Sequence, residues 1–270
     1  MPVDANLSSR VLTAALGVPL LVLFVGWSPS WLFAAVFFVL TVGALHEYFT
    51  MVFPNHSADR RLGIGFGICL SGAIFLNEHV NSLLWLDLVV LIGFCIYTFS
   101  GGALPDRLKR LAISLLGAVY AGYFLPHWVL LFRLPGGRAW VFWVLIVIMV
   151  GDTMAYFTGR RFGARKLAPE ISPGKTVAGA WGYVFGAVMA GWFGAAILFD
   201  SINWLEISIL SVVLSVLGQL GDLFESWIKR VFAVKDSGHL LPGHGGLLDR
   251  LDSLIFPAVF TTAYLQAFHR

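Results

Sequence analysis

The chain has 270 residues, of which 58% are hydrophobic and 12% are charged, and its formal net charge is +3. Soluble domains carry about 25% charged residues, so this composition excludes an ordinary soluble protein and indicates several membrane-spanning helices. The basic balance suits anionic lipid headgroups. It does not favour a nucleic acid partner, because no basic face stands apart from the predicted membrane segments.

Nine hydrophobic runs follow one another without a Pro/Ser-rich linker between them. They occupy residues 11–26, 30–46, 62–77, 81–99, 110–132, 139–158, 178–199, 204–221 and 253–268. We expect the first run to be a retained span and not a signal peptide, because no clean cleavage site follows it. The sequence therefore predicts an all-α, polytopic membrane protein with about nine transmembrane helices in a single domain, residues 1–270.

Lys and Arg are distributed unevenly between the two sides of these predicted spans. If the N-terminus is cytoplasmic, all but three of the 18 Lys and Arg residues fall in cytoplasmic segments; the exceptions are Arg133, Arg138 and Arg270. Because Lys and Arg accumulate in cytoplasmic loops, the pattern predicts a multi-pass protein of a bacterial-type cytoplasmic (inner) membrane. The polar motifs, and with them the active site, would then face the cytoplasm.

Two of the carboxylates within or beside the apolar runs, Glu47 and Asp152, bear on the interpretation of the spans. Glu47 follows the second run and is interpreted as a packing or interface residue. Asp152 lies inside the sixth run, where an ionisable side chain is a functional candidate by default. Asp152 is therefore a candidate substrate-binding residue, although an ion pair with an arginine of a neighbouring helix would explain it equally well.

The loop after the sixth run ends in the tripeptide GKT at residues 174–176. This is not a P-loop, because Pro169 stands where that motif needs glycine and no strand is expected before it. Ser172 is the expected N-cap of the seventh span. Lys175 and Thr176 would then lie in the first helical turn, where free N–H groups favour anions. A basic topogenic loop with a good cap is the alternative interpretation.

The eighth run continues without a helix breaker into GDLFESWIKR at residues 221–230. On a continuous helix, Asp222, Glu225, Ser226 and Lys229 would form one polar face. An unpaired carboxylate at the edge of a bilayer is costly, so we predict a functional role for Asp222. An ordinary ion pair at a helix end would account for Glu225 with Lys229.

A glycine-rich turn, PGHGG at residues 242–246, precedes the last run. Glycines let the backbone approach a ligand closely, and a helix that opens behind them points free N–H groups at an anion. Asp249 and Asp252 would share a face at the start of that helix. Carboxylate oxygens suit Mg²⁺. Zinc is not expected at His239 and His244 without a cysteine nearby, and His244 is expected to bind a phosphate or to orient the turn.

The segment over residues 226–252 reads S-x2-K-R-x4-K-D-S-x4-P-G-H-G-G-x2-D-R-x-D. Together with Asp152, residues 172–176 and residues 10–14, it resembles the signature of the phosphatidate cytidylyltransferase (CDP-diacylglycerol synthase) family. The resemblance implies a catalytic signature at residues 221–253 and a second functional loop at residues 159–177. It also implies nucleotidyl transfer from CTP to phosphatidate, with release of pyrophosphate.

In this family a metal centre is held by aspartates from both halves of the signature, which the resemblance implies would here be Asp222 and Asp249. The implied cofactor is Mg²⁺, and a second cation, monovalent or divalent, stays open. The implied catalytic residues are Asp222, Asp249, Lys229 and Asp252. The candidate substrate-binding residues are Ser172, Lys175, Thr176, Ser226, Arg230, Lys235, Asp236, His244, Gly245, Gly246, Arg250 and Asp152.

The expected partners are CTP, phosphatidate and membrane lipids, and a homodimer stays open. Two alternatives remain at this stage. One is a CTP-dependent enzyme that acts on another lipid phosphate. The other is a secondary transporter, whose polar residues should lie near the bilayer midplane in paired repeats, whereas here they cluster at one end of the predicted spans.

Overall fold

The computed structural model describes residue 17 and residues 19–76, 82–238 and 245–268. After a helical stretch at residues 19–27, the principal elements follow in chain order. They are α1 (Ser30–Val52), α2 (Ser57–Leu76), α3 (Ser82–Thr98), α4 (Leu104–Gly117), a π-helical segment (Ala118–Phe124), α5 (His127–Arg133), α6 (Gly137–Phe162), β1 (Lys166–Ala168), β2 (Ser172–Thr176), α7 (Val177–Leu198), α8 (Trp204–Val231) and α9 (Leu248–Phe268).

Six helical segments in the described part of the chain are long and apolar enough to cross a membrane. They are α1, the continuous stretch Leu104–Arg133, α6, α7, α8 and α9. The prediction of a polytopic helical membrane protein is thereby confirmed, but the count of nine spans is not. Helix α2 has Asp59, Arg60 and Arg61 near its start, α3 has only 17 residues, and the first predicted run is described only at residue 17 and residues 19–26.

A short antiparallel hairpin interrupts the otherwise helical fold of the described residues. Strands β1 and β2 pair Lys166 with Thr176 and Ala168 with Ser172, which satisfies backbone groups between two helix ends. The cap of α7 is Thr176, whose Oγ1 accepts a hydrogen bond from the Gly179 N–H at 3.1 Å. The prediction of Ser172 as N-cap was therefore wrong: both residues are good cap formers, and the strand pairing selects the later one.

Helix α8 continues through residues 221–230 as predicted. Its length matters because it decides whether the polar end of the helix can extend beyond the hydrocarbon core of a bilayer. It has 28 residues and is about 42 Å long at the α-helical rise, whereas the hydrocarbon core of a bilayer is about 30 Å thick. The helix is thus long enough to extend beyond the core. The predicted polar face of Asp222, Glu225, Ser226 and Lys229 belongs to its C-terminal part.

Close helix crossings bring the site-bearing segments together. At Gly221 of α8, an added Cβ would lie 2.3 Å from the carbonyl oxygen of Asp252 in α9. Glycine is needed at this crossing because any side chain would push the two backbones apart. On the neighbouring pair, the Trp143 Nε1–H of α6 donates to the Gly191 carbonyl oxygen of α7 at 2.9 Å. These contacts position α6, α7, α8 and α9 around a common polar region.

Candidate active site

A cavity of about 610 Å³ lies between α6, the β-hairpin, α7 and α8. Apolar, aromatic and glycine residues form part of its wall, and charged groups face it from three of these elements. Its charged or hydroxyl-bearing lining residues include Asp152, Arg160, Lys166, Lys175, Thr176 and Asp222. We refer to it below as the polar cavity.

The hairpin and α8 meet at an ion pair in the polar cavity. The Lys175 Nζ lies 2.7 Å from Asp222 Oδ2, and both side chains are partly exposed. The Ser226 hydroxyl lies 3.4 Å from Asp222 Oδ1, one helical turn further along α8. A partly exposed ion pair contributes only about 0–1 kcal/mol to stability. This pair therefore matters less for stability than for the two opposite charges that it places in the polar cavity. The structure thus brings together two segments that are about fifty residues apart in the sequence.

Two further aspartates approach the same region from α6 and α9. The Ser253 hydroxyl lies 3.5 Å from Asp152 Oδ2, at the outer limit of a hydrogen bond. The neighbouring Asp252 is buried, and its Oδ1 accepts from the Ser253 backbone N–H at 2.6 Å. Asp152 therefore faces α9, where Asp252 borders the crossing with α8.

The second group of charges is a buried ion cluster of Glu225, Lys229 and Asp249. The Lys229 Nζ lies 2.5 Å from Asp249 Oδ1 and also forms an ion pair with Glu225 on its own helix. Glu225 is fully buried and Lys229 is 8% exposed. One ammonium group thus serves two carboxylates, and it links the C-terminal part of α8 to the start of α9.

Asp249 is held on its other side by backbone and hydroxyl donors. Its Oδ2 accepts from the Ser237 N–H at 3.0 Å, the Ser237 hydroxyl at 2.9 Å and the Gly246 N–H at 2.9 Å. An added Cβ at Gly246 would lie 2.0 Å from the Ser237 Oγ, and Gly245 has φ +81°, which favours glycine. The turn before α9 therefore directs the Gly246 N–H at the protein's own carboxylate, whereas the sequence suggested an anion of the substrate.

The remaining predicted residues lie in different surroundings. Arg230 donates to the carbonyl oxygens of Ile171 and Val234, both at 3.2 Å, and so ties the end of α8 to the hairpin. Lys235, Asp236 and Arg250 are exposed. Ser172 lies in β2, partly buried, and His244 lies outside the described residues.

Sequence reasoning missed Glu47 as a residue of this region. Glu47 lies in α1 and is 3% exposed; its Oε2 accepts from the Leu248 N–H at 2.9 Å and from the Ser237 hydroxyl at 3.3 Å. A signal was available, because a carboxylate at the end of an apolar run is costly unless it is paired. The partners were not predictable, since they come from residues 190 and 201 positions further along the chain.

The donor set of this region consists of carboxylate oxygens. Across the described ranges, no group of three or more His, Cys, Asp or Glu side chains is arranged to hold a metal ion. Mg²⁺ commonly takes only one or two carboxylates and completes its shell with water and substrate phosphates. The partly exposed Asp222 and the oxygen-only donor set fit such a cation, and they do not resemble the thiolate and imidazole sets preferred by zinc.

Comparison with known proteins identifies relatives of the whole chain and of its parts. The model of the Cytidylyltransferase family matches residues 8–268. The phosphatidate cytidylyltransferase of Bacillus subtilis (strain 168) is 43% identical over 155 residues, which is 57% of this chain and 57% of that protein. The phosphatidate cytidylyltransferase of Brucella abortus (strain 2308) is 45% identical over 124 residues, 46% of each chain.

A third relative matches over a longer stretch. The uncharacterized protein YnbB of Escherichia coli (strain K12) is 33% identical over 238 residues, 85% of this chain and 78% of that protein. The chain thus spans about half the length of the relatives that are named as phosphatidate cytidylyltransferases. These matches confirm the family resemblance that the motifs indicated.

The buried ion cluster generates a prediction about stability. Replacing Lys229 with Met would leave Glu225 and Asp249 without their shared cation, and removing one partner of a buried ion pair typically costs about 3–5 kcal/mol. We expect Lys229→Met to lower the thermal unfolding midpoint in detergent, and Glu225→Gln in the same chain to restore part of the loss. The control is Lys109→Met, at an exposed position of α4. Equal unfolding midpoints for Lys229→Met and Lys109→Met would contradict the prediction.

Proposed function

The chain belongs to the Cytidylyltransferase family, and we propose that it transfers the cytidylyl group of CTP to phosphatidate. A phosphate oxygen of phosphatidate forms a new bond to the α-phosphorus of CTP. The bond from that phosphorus to the oxygen of the β-phosphate breaks, and pyrophosphate leaves with the electron pair. The products are CDP-diacylglycerol and pyrophosphate. The observation that carries the proposal is the Lys175–Asp222 pair in the polar cavity.

The residues of the polar cavity meet the main requirement of this chemistry, which is to neutralise and align phosphates. Lys166 and Lys175 from the hairpin and Arg160 from α6 supply positive charge along one wall. The lipid phosphomonoester has a second pKa of about 6, so it is largely dianionic at neutral pH and needs no general base. This fits a site whose lining residues include lysines and aspartates and do not include a Ser/His/Asp triad.

Lys175 is suited to exchange partners when substrate arrives. In the structure its ammonium group is 2.7 Å from Asp222, and a compact ammonium on a flexible stem can turn to a phosphate oxygen nearby. Lys229 is more firmly held, because it is buried between Glu225 and Asp249. We therefore assign substrate binding to Lys175, and to Lys229 the task of keeping Asp249 beside α8.

Asp222 and Asp249 are the residues that would hold Mg²⁺ in the proposed reaction. A bound Mg²⁺ would neutralise triphosphate charge and stabilise the pyrophosphate that leaves. Asp222 already lines the polar cavity, and Asp249 is fixed in place by Lys229, Ser237 and Gly246. Asp252 and Asp152 add negative charge from the neighbouring helices.

The surroundings of the cavity favour a phosphate that is attached to a lipid. Tyr156 and Leu167 belong to its wall and are 59% and 37% exposed. Phe157 and Phe162, on the same helix as Tyr156, are also exposed. Exposed aromatic and aliphatic side chains of this kind suit the interface region of a membrane, so the acyl chains of a substrate could stay in the bilayer while its phosphate reaches Lys175.

The direct test is an assay of the purified protein with CTP, Mg²⁺ and a panel of lipid phosphates, with mass spectrometry of the products. We expect CDP-diacylglycerol from phosphatidate at a rate well above that with any other acceptor. The lining residues described above recognise phosphate and not the rest of the lipid, so a polyprenyl or ether-lipid phosphate is the competing acceptor. Faster turnover of one of these would replace phosphatidate as the substrate, and no cytidylyl transfer to any acceptor would disprove the proposal.

Turnover should require a divalent cation and both signature aspartates. We expect Asp222→Asn and Asp249→Asn to lower kcat by about two orders of magnitude or more, as when one strong charge-stabilising group is lost. Asp200→Asn, in the exposed turn between α7 and α8, is the matched control and should leave kcat unchanged. Full activity in excess chelator, or a near-normal rate in either folded signature variant, would refute the assignment.

The proposed site should face the compartment that holds CTP. We expect a thiol introduced by Ala164→Cys, beside the hairpin, to be shielded from an impermeant reagent in intact cells. A thiol introduced by Ser201→Cys, between α7 and α8, should be labelled. Both changes are made in a chain in which Cys69 and Cys95 are replaced. The reverse labelling pattern would place the cavity on the wrong side of the membrane for CTP.

A further inference from the structure

We infer that Glu47 of α1 is a positioning residue for Asp249, which it reaches through Ser237 and the first backbone N–H of α9. The inference rests on the proposed function, because Asp249 is assigned there to the catalytic region. Glu47 does not line the polar cavity, so it is not itself expected to touch CTP or the lipid. Its role is to hold the residues that hold Asp249.

The contacts of Glu47 fix both sides of the segment that contains the glycine-rich turn. On one side the Ser237 Oγ lies 3.3 Å from Glu47 Oε2, and on the other the Leu248 N–H donates to the same oxygen at 2.9 Å. Gly238 packs directly on the carboxylate, since an added Cβ there would lie 2.5 Å from Glu47 Oε1. The carboxylate therefore fits against the backbone with no room for a side chain.

The Leu248 N–H is one of the free donors at the start of α9, which a helix cannot satisfy from within. A negative group at this end of a helix is favoured by the helix dipole as well. Glu47 supplies that group from a residue 201 positions away in the chain. Because Asp249 directly follows Leu248, a carboxylate that fixes the Leu248 N–H also fixes the backbone of Asp249.

Ser237 connects the two carboxylates. Its hydroxyl has a single proton, and the oxygen is closer to Asp249 Oδ2, at 2.9 Å, than to Glu47 Oε2, at 3.3 Å. The proton is therefore shared unequally, chiefly with Asp249 and more weakly with Glu47, and Glu47 is held mainly by the Leu248 N–H. This arrangement leaves Asp249 Oδ1 directed at Lys229.

Two substitutions and a matched control separate positioning from a general loss of packing. Glu47→Ala removes the acceptor, whereas Glu47→Gln keeps a carbonyl oxygen that can accept from the Leu248 N–H. Thr41→Val is the control, because Thr41 is fully buried on the same helix and its hydroxyl has no hydrogen-bond partner within the described ranges. Each folded variant is assayed with CTP and phosphatidate, and its amide hydrogen exchange is measured over residues 235–250.

We expect Glu47→Ala to lower kcat about 10- to 100-fold, as for a displaced catalytic group, with a smaller change in KM for CTP. The Leu248 and Ser237 amides should exchange at least about tenfold faster. Glu47→Gln should stay within about threefold of the wild-type rate because its hydrogen bond is retained. Thr41→Val should change neither the rate nor the exchange.

Three results would overturn the inference: an unchanged kcat in Glu47→Ala, unchanged exchange at Leu248 and Ser237, or a glutamine variant as impaired as the alanine variant. A wild-type protein that transfers cytidylyl groups to no lipid phosphate would instead refute the proposed function. In that case faster exchange in Glu47→Ala alone would still support the link from α1 to Asp249. The two failures are therefore distinguishable.

Discussion

The rest of the site depends on one interaction, the pairing of the buried Lys229 ammonium group with the carboxylates of Glu225 and Asp249. A buried charge is tolerated only when it is paired, so this contact ties the C-terminal part of α8 to the start of α9. The Gly221 crossing lets these two helices approach closely enough for the pairing to form. The position of Asp222 relative to the hairpin follows from that arrangement.

The structure separates carboxylates that look equivalent in the sequence. Asp222 is partly exposed in the polar cavity and is paired with a lysine that is itself partly exposed. Asp249 is engaged by Lys229 on one oxygen and by three donors on the other. Asp222 can adjust its position when a ligand arrives, whereas Asp249 offers a carboxylate in a fixed position. Similar residues of one signature can thus serve different purposes because their surroundings differ.

Local patterns in the sequence predicted the parts of the fold and site that depend on local physics. The polar face from Asp222 to Lys229 follows from helical spacing, and the membrane class follows from composition. The hairpin and the cap at Thr176 were missed because two cap-forming residues compete and long-range pairing decides between them. Glu47 was misinterpreted for the same reason, since its partners among the described residues, Ser237 and Leu248, lie near the other end of the chain.

The length of α8 has a consequence for the traffic of molecules through the proposed site. The length of the helix exceeds the thickness of the hydrocarbon core, so its charged end can reach the interface between that core and water. At this interface, a water-soluble reactant that diffuses in three dimensions can react with a lipid that diffuses within the plane of the membrane. Neither product then has to cross the bilayer: the hydrophilic fragment departs into the aqueous phase, and the lipid leaves sideways within its own leaflet.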